Sequence, residues 1–351
     1  MIRIGIVGTG GMAHGHAHSY LAMPDCRLVA CCDVDRAKAE AFAHKHGIPA
    51  VYDDAAEMLA RERLDGISIV TSDNAHAPVA LLAIRRGIHV LCEKPLAANL
   101  REARAMASAA RRAGTLTAVN FSLRNVGAAQ KAAQIVASGK LGRLKHVEGH
   151  HLQSWLAAPH WGDWRKTPAF LWRMSTRHGG GGVLGDVGVH LYDLAYFLAG
   201  EFAQVACELK TFDKGVKRIG PYVLDANDSM ITTVRFRHGA LGVLHASRWA
   251  SGRANWVGLR LYGETGGLDL DFDRPAGDQL RVCLGPKAMV TMQWQAVKCP
   301  ATPSVYERFV TSIRTRRQAQ TSFAGGAVIQ AYLDASFRAA RRGGFVPVPK
   351  V

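Results

Sequence analysis

At 351 residues and 48% hydrophobic content, the chain is long enough for one large or two ordinary domains with real cores. No apolar run approaches a membrane span and the first residues do not read as a signal peptide, so a soluble, cytoplasmic protein is expected. Lys and Arg exceed Asp and Glu by 16, yet the clusters Arg111-Arg112, Arg314/Arg316/Arg317 and Arg338/Arg341/Arg342 stand far apart without interleaved aromatics, which reads as a solvated basic surface and not as a nucleic-acid partner site.

The chain opens with Ile2-Arg3-Ile4-Gly5-Ile6-Val7, a buried strand by its β-branched, apolar run. Gly8-Thr9-Gly10-Gly11-Met12-Ala13 follows in the pattern G-x-G-x-x-A and turns the chain into a helix starting near Gly11. Free N–H groups and the dipole at such a helix start suit a pyrophosphate, which makes Gly8, Gly10, Gly11 and Met12 candidate cofactor contacts. A second strand, Arg27 to Cys32, ends at Asp33, twenty positions after Ala13. A carboxylate there accepts hydrogen bonds from adenosine-ribose hydroxyls, so Asp33 joins the cofactor group and favours NAD; Arg36 lies close enough to keep NADP open. His14, His16 and His18 form H-x-H-x-H in the first helix, but no carboxylate or Cys completes a ligand set and no metal is expected. The seven Cys include no C-x-x-C pair and read as reduced, mostly buried thiols.

Further along, a helix over 36–46 stops at Gly47, Val51-Tyr52 is a short strand, and Asp53 or Asp54 caps the next helix. Gly66 to Val70 is a strand, 77–86 a helix ended by Gly87, and Ile88 to Cys92 a strand. Asn99 caps a helix through Arg112, and Leu116 to Phe121 is the sixth strand. Strict alternation predicts a Rossmann-type doubly wound parallel sheet, assigned to residues 1–122. Ligands of such sheets bind at the carboxyl ends of the strands. Two loops there stand out: Thr71-Ser72-Asp73-Asn74-Ala75-His76 and Glu93-Lys94-Pro95. On its own residues the second loop reads first as a surface Lys-Pro turn; the alternative is that Lys94 projects toward the cleft and stabilises developing alkoxide charge.

The pattern then changes. A helix over 126–138, a strand over 144–151 and a Trp-rich stretch (Trp155, Trp161, Trp164, Trp172, with Arg165 and Arg173) lead to Gly182. The aromatics there suit either sugar stacking or packing of a domain junction. A helix is expected over 186–198, mostly consecutive strands over 202–295, and helices over 304–315 and 324–341. This predicts an α+β second domain with an open, mostly antiparallel sheet over 123–351, its last helix packing back on the first domain. Within Gly179–Asp193, Asp186 and His190 are spaced i, i+4 on one helix side, and Asp193 lies three beyond His190. A histidine held by a carboxylate suits a general base; a helix cap with a satisfied core histidine is the plainer alternative.

The Gly8-Thr9-Gly10 turn, Glu93-Lys94-Pro95, and Gly180-Gly181-Gly182 through Asp186, Gly188, His190 and Asp193 together resemble the Gfo/Idh/MocA oxidoreductase family, which includes glucose–fructose oxidoreductase and inositol dehydrogenase. The resemblance implies an NAD(P)-dependent enzyme moving hydride between nicotinamide and a secondary alcohol or ketone of a sugar, polyol or related molecule. It implies Lys94, Asp186 and His190 as catalytic residues. Thr71, Ser72, His76, Glu93 and Lys94 would complete the cofactor site; apart from the resemblance, the composition of the Trp-rich stretch makes Trp172 and Arg173 candidates to join Asp186 and His190 around the substrate, with packing the equal alternative. It also implies a homodimer or homotetramer built on the open sheet. Ser72 and Asp73 depart from the T-P-N-x-x-H usual in that loop. A non-catalytic, cofactor-sensing regulator on the same fold is the alternative, and the intact Lys94/Asp186/His190 set argues against it.

Overall fold

The computed structural model describes residues 1–272, 277, 279–318 and 321–351. In chain order its first elements are β1 (Ile2–Val7), α1 (Gly11–Leu21), β2 (Cys26–Cys32), α2 (Arg36–His46), β3 (Ala50–Tyr52), α3 (Ala55–Arg61), β4 (Gly66–Ile69), α4 (Asp73–Arg85), β5 (His89–Cys92), α5 (Leu100–Ala113) and β6 (Thr117–Val119). There follow α6 (Gly127–Ala137), β7 (Leu144–Gln153), the single turns α7 (Pro168–Leu171) and α8 (Thr176–Gly179), and a π-helical turn, Leu184–Gly188, running into α9 (Val189–Ala199). Then come β8 (Phe202–Lys210), β9 (Arg218–Ile219), β10 (Tyr222–Val223), β11 (Ser229–Phe236), β12 (Leu241–Ser247), β13 (Asn255–Gly263), β14 (Gly266–Asp271), β15 (Gln279–Leu284), α10 (Gly285–Val290) and β16 (Gln295–Ala296). The chain closes with α11 (Val305–Thr315), α12 (Phe323–Arg342) and β17 (Val346–Pro347). Two compact units result: Met1–Ser122 with Pro303–Gln330 and Val351, and Leu123–Thr302 with Ala331–Lys350.

The first unit is a six-stranded parallel sheet in the order β3-β2-β1-β4-β5-β6, the Rossmann arrangement. Ile4 and Ile6 of β1 are fully buried, and Phe309, Val310 and Ile313 of α11 pack into the same core. Side-chain caps set the helix starts: Asp35 accepts from the Lys38 N–H, Asp54 from Glu57 and Asn99 from Glu102. One boundary differs from expectation. α4 begins at Asp73 and not near Ala77, so Pro78 lies inside it. The acidic first turn suits the helix dipole. The buried His76 ring, set between the Thr71 and Pro95 carbonyls, pins that turn in place. Burial pushes the thiols of Cys31 and Cys32 up, to about 11 and about 12, as inert core groups. All seven cysteines are free.

The second unit is a nine-stranded sheet in the order β16-β15-β14-β13-β7-β12-β11-β8-β17. Pairing is antiparallel except between β12 and β7. One face carries α9. A Cβ on Gly149 would come within 2.9 Å of Leu191, and only a hydrogen lets helix and sheet approach so closely. The opposite face carries His146, Glu148 and His150 of β7 with their cross-strand partners. On the same face Ile231 and Leu241 are 57% and 52% exposed. The Trp-rich stretch partly forms a satellite core: Trp155 and Trp164 are buried with Leu156, Leu171, Met174 and Leu224. Among the described residues no helix is long and apolar enough to cross a membrane.

Candidate active site

In the first unit, the turn after β1 is built for close approach. Gly8 has φ +92°, and a Cβ there would lie 2.6 Å from the Val70 carbonyl carbon and oxygen. Only glycine fits. Gly10 caps α1 without any side-chain bond, and a Cβ on Gly10 or Gly11 would meet nothing within 4 Å. The start of α1 thus presents unfilled space over its first N–H groups. Asp33 stands at the end of β2. Its Oδ2 accepts from the Thr9 N–H (2.8 Å) and Thr9 Oγ1 (3.0 Å), and its Oδ1 accepts from the Asp35 N–H (3.0 Å). Three donors therefore fix the carboxylate against the glycine turn. Donors for a pyrophosphate and an oriented acid for ribose hydroxyls are both present, so these residues fit a dinucleotide. Met12, 53% exposed, lies on the first turn of the same helix. Arg36 pairs with Glu40 at 2.9 Å.

At the ends of β4 and β5 the side chains are linked. His76 is buried, with Nδ1 2.9 Å from the Pro95 carbonyl and Nε2 3.2 Å from the Thr71 carbonyl, so its side chain ties the two loops together. Ser72 is exposed and caps α4 without a side-chain bond. The Lys94–Pro95 peptide is cis, and Lys94 is partly exposed. Glu93 is buried beneath it. Glu93 Oε1 lies 2.9 Å from His16 Nε2 and accepts from Asn120 Nδ2, while Oε2 accepts from the Lys94 N–H at 3.1 Å. Asn120 in turn donates to the Tyr306 hydroxyl at 3.1 Å. Burial pushes the Glu93 carboxyl up, but His16, Lys94 and Asn120 outweigh it and hold it at about 2. Lys94 thus rises from a rigid, ionised platform.

The middle histidine of the H-x-H-x-H run, His16, serves this platform. His14 Nδ1 lies 2.7 Å from His46 Nε2. Among the described residues no group of three or more His, Cys, Asp or Glu is arranged to hold a metal ion.

In the second unit, the expected helix start at Asp186 is a π-helical turn, Leu184–Gly188, with the α-helix beginning at Val189. Glycines at 185 and 188 lower the helix propensity there. The widened turn leaves the Val187 carbonyl facing His151 Nδ1 at 3.1 Å. Asp186 Oδ2 accepts from Arg248 Nη2 at 3.0 Å and lies 3.6 Å from Arg173 Nε. Arg173 also stacks on Trp172, 4.5 Å from the ring centre. His190 follows one turn after Asp186, its ring 6.3 Å from that of His151. Asp193 has a different office from the one its spacing suggested. Its carboxylate is gripped by Arg124 Nε (3.0 Å) and Nη2, both residues being buried. Burial raises its carboxyl pKa and Arg124 opposes the rise. That pair joins α9 to the turn before α6 and is structural.

Sequence reasoning missed His16 and Asn120 as supports of Glu93, and Arg248 as the partner of Asp186. His16, the sixth residue of α1, left no periodic signal of that contact, and nor did Asn120. Arg248 had none; it follows a strand 62 residues downstream of the aspartate it holds.

Comparison with known proteins bears on the chain as a whole. Residues 2–121 match the oxidoreductase family model described as an NAD-binding Rossmann fold, and residues 129–269 match the GFO/IDH/MocA C-terminal domain. Levoglucosan dehydrogenase of Pseudarthrobacter phenanthrenivorans is 29% identical over 80% of this chain and 76% of its own length. D-glucoside 3-dehydrogenase of Escherichia coli is 30% identical over 70% of each chain. A solved structure of levoglucosan dehydrogenase in complex with NADH and L-sorbose superposes with a TM-score of 0.88 at 26% identity, covering 100% of this chain and 99% of that one.

Proposed function

This chain belongs to the Gfo/Idh/MocA oxidoreductase family, and from that membership we propose that it is an NAD-dependent dehydrogenase of a secondary alcohol on a sugar or cyclic polyol. The observation that carries the reading is a partly exposed carboxylate, Asp186, held by guanidinium groups one helical turn before His190. An acid–base pair so arranged serves proton transfer, which a cofactor-sensing regulator does not need. NAD, when bound, supplies the hydride acceptor. Asp186 receives the substrate hydroxyl as a hydrogen-bond acceptor, and His190 takes up its proton. Lys94 stabilises the negative charge that develops on the same oxygen. Gly8, Gly10, Gly11 and Met12 shape the phosphate site and Asp33 takes the ribose. Thr71, Ser72 and His76 form and brace the loop beside it. Glu93 holds Lys94, and Trp172 and Arg173 border the sugar. Ketone reduction uses the same groups in reverse.

The names of the relatives direct the substrate panel toward pyranoses, glycosides, anhydrosugars and inositols. Purified protein with NAD and this panel should yield absorbance in the reduced-nicotinamide band. Lys94→Ala should remove turnover with NAD affinity retained. NAD binding without turnover on any member of the panel, in either direction, would overturn the reading. The free cysteines support a reducing, cytoplasmic location. The open face of the nine-stranded sheet supports a homodimer or homotetramer.

A further inference from the structure

Among the described residues Arg248 is the largest fully buried side chain of the second unit, at 0% exposure. Its backbone is fixed on both sides: its N–H donates to the Asp228 carbonyl at 3.0 Å, and its carbonyl accepts from the Leu156 N–H at 3.3 Å. The guanidinium then divides. Nη2 donates to Asp186 Oδ2 at 3.0 Å, Nη1 donates to the Arg173 carbonyl at 3.2 Å, and the plane lies 5.0 Å from the Trp155 ring centre. One rigid fork thus joins the π turn that carries Asp186 to the backbone of the Trp172–Arg173 segment.

Burying a cation costs several kcal/mol, and apolar residues of similar volume often stabilise a core at least as well. Arg248 is therefore poorly explained by stability. Its partner is not a core carboxylate either, since Asp186 is 21% exposed. An arginine is also the side chain that can fix a carboxylate and a carbonyl together, because its donors are held in one plane. The contrast with Arg124 is instructive. That arginine closes on Asp193 at 1% exposure, with both carboxylate oxygens taken, and holds two helical segments together.

We propose that Arg248 is a positioning residue for the dehydrogenase reaction, orienting Asp186 toward the substrate hydroxyl and setting the Trp172–Arg173 segment at the same distance from it. The inference rests on the reading of Asp186 as a substrate-binding carboxylate. Arg248 itself touches neither substrate nor cofactor. Its effect passes through Asp186, so it disappears once Asp186 can no longer act.

A double-mutant cycle with Arg248→Met, Asp186→Asn and the combination tests this. R248M should lose kcat/KM by about 100-fold, the scale of a misplacement near 1 Å, with NAD affinity unchanged. Carried on D186N, R248M should add no further loss. Multiplying losses, or wild-type kcat/KM in folded R248M, would overturn the proposal. D186N with wild-type turnover would instead overturn the underlying reading of Asp186. Should R248M not accumulate as folded protein, R248K carries the same cycle. Lysine keeps the buried charge but cannot bridge both partners, so a smaller loss, again absent on D186N, is expected. A loss confined to thermal stability, with kcat and KM untouched, would make Arg248 structural only.

Discussion

Lys94 and Glu93 are neighbours with opposite surroundings, and the difference sets what each can do. Lys94 is partly exposed, and its charge helps to hold Glu93 ionised. Glu93 is buried, and three partners keep its carboxyl at about 2 against an ordinary 4.5. A carboxyl held down in the folded state contributes stability that is complete above 4.5 and is lost as pH falls toward 2. At about 1.4 kcal/mol per pH unit, the shift corresponds to about 3 kcal/mol. Thermal unfolding from pH 6 to pH 3 should therefore show a steeper loss for the wild type than for Glu93→Gln, which cannot ionise. Equal slopes would mean that the carboxylate is not held by His16 and Asn120 as described. The sequence pointed to this pair because a Lys-Pro step after a strand is conspicuous. It could not point to His16 and Asn120, because a buried polar contact between a first-helix residue and a sixth-strand end leaves no periodic trace. Asp193 shows the converse error. Its spacing to His190 is right for a contact, but a buried arginine from another segment offered a stronger one.

Regular elements were legible wherever one period ran uninterrupted. The six alternating strands and helices, the Asn99 and Asp54 caps and the hairpin of β11 and β12 follow from local pattern alone. The pattern failed where backbone geometry changes class within an element, as at the π turn before α9, and at the start of α4, where Pro78 lies inside a helix that begins at Asp73. Glycines within one turn can likewise be separated by function. Gly8 is required by the fold, because any Cβ would enter the Val70 carbonyl. Gly8→Ala should thus lower both stability and NAD binding. Gly10 and Gly11 face open space, so Gly10→Ala should leave the unfolding temperature within a few degrees of wild type. Calorimetric titration should nevertheless show weakened NAD binding, because the added methyl would enter the space proposed for the pyrophosphate. Unchanged affinity in G10A would remove the cofactor from this turn. In the second unit, Gly258 pairs with His150 across β13 and β7, and a Cβ would lie 2.6 Å from the imidazole Cε1. Burial above all pushes that imidazole down to about 3, so the ring is neutral and packed beside Trp256 at 3.9 Å between centres. Gly258→Ala should destabilise the protein by about 2 kcal/mol, read as a shift in the denaturation midpoint with an unchanged slope.

Net charge at the level of the whole molecule, at +16, opposes self-association, yet the open sheet face escapes that repulsion. Glu148, Arg260, Asp269 and Arg281 lie in register across β7, β13, β14 and β15. Their charges are paired in place: Arg260 with Asp269 at 3.2 Å and with Glu148 at 3.5 Å, and Arg281 with Asp269. Nine strands at about 4.8 Å spacing make a face about 40 Å across, ample for the roughly 800 Å² per partner of a standard interface. Ile231 and Leu241, exposed on this face near opposite ends of the β11–β12 pair, are the apolar residues a second copy would cover. Sequence alone gives the alternation of β11 and β12 but not which exposed positions a partner hides, since a solvated face and a covered one share the same period. The double substitution Ile231→Glu and Leu241→Glu should leave the far-ultraviolet circular dichroism unchanged, because both side chains point away from the helices. Sedimentation velocity should then show the assembly falling to a smaller species, at low and high salt alike, since burying a carboxylate where an apolar side chain was covered carries a desolvation cost that salt does not screen. An unchanged sedimentation coefficient would place the contact elsewhere on the molecule.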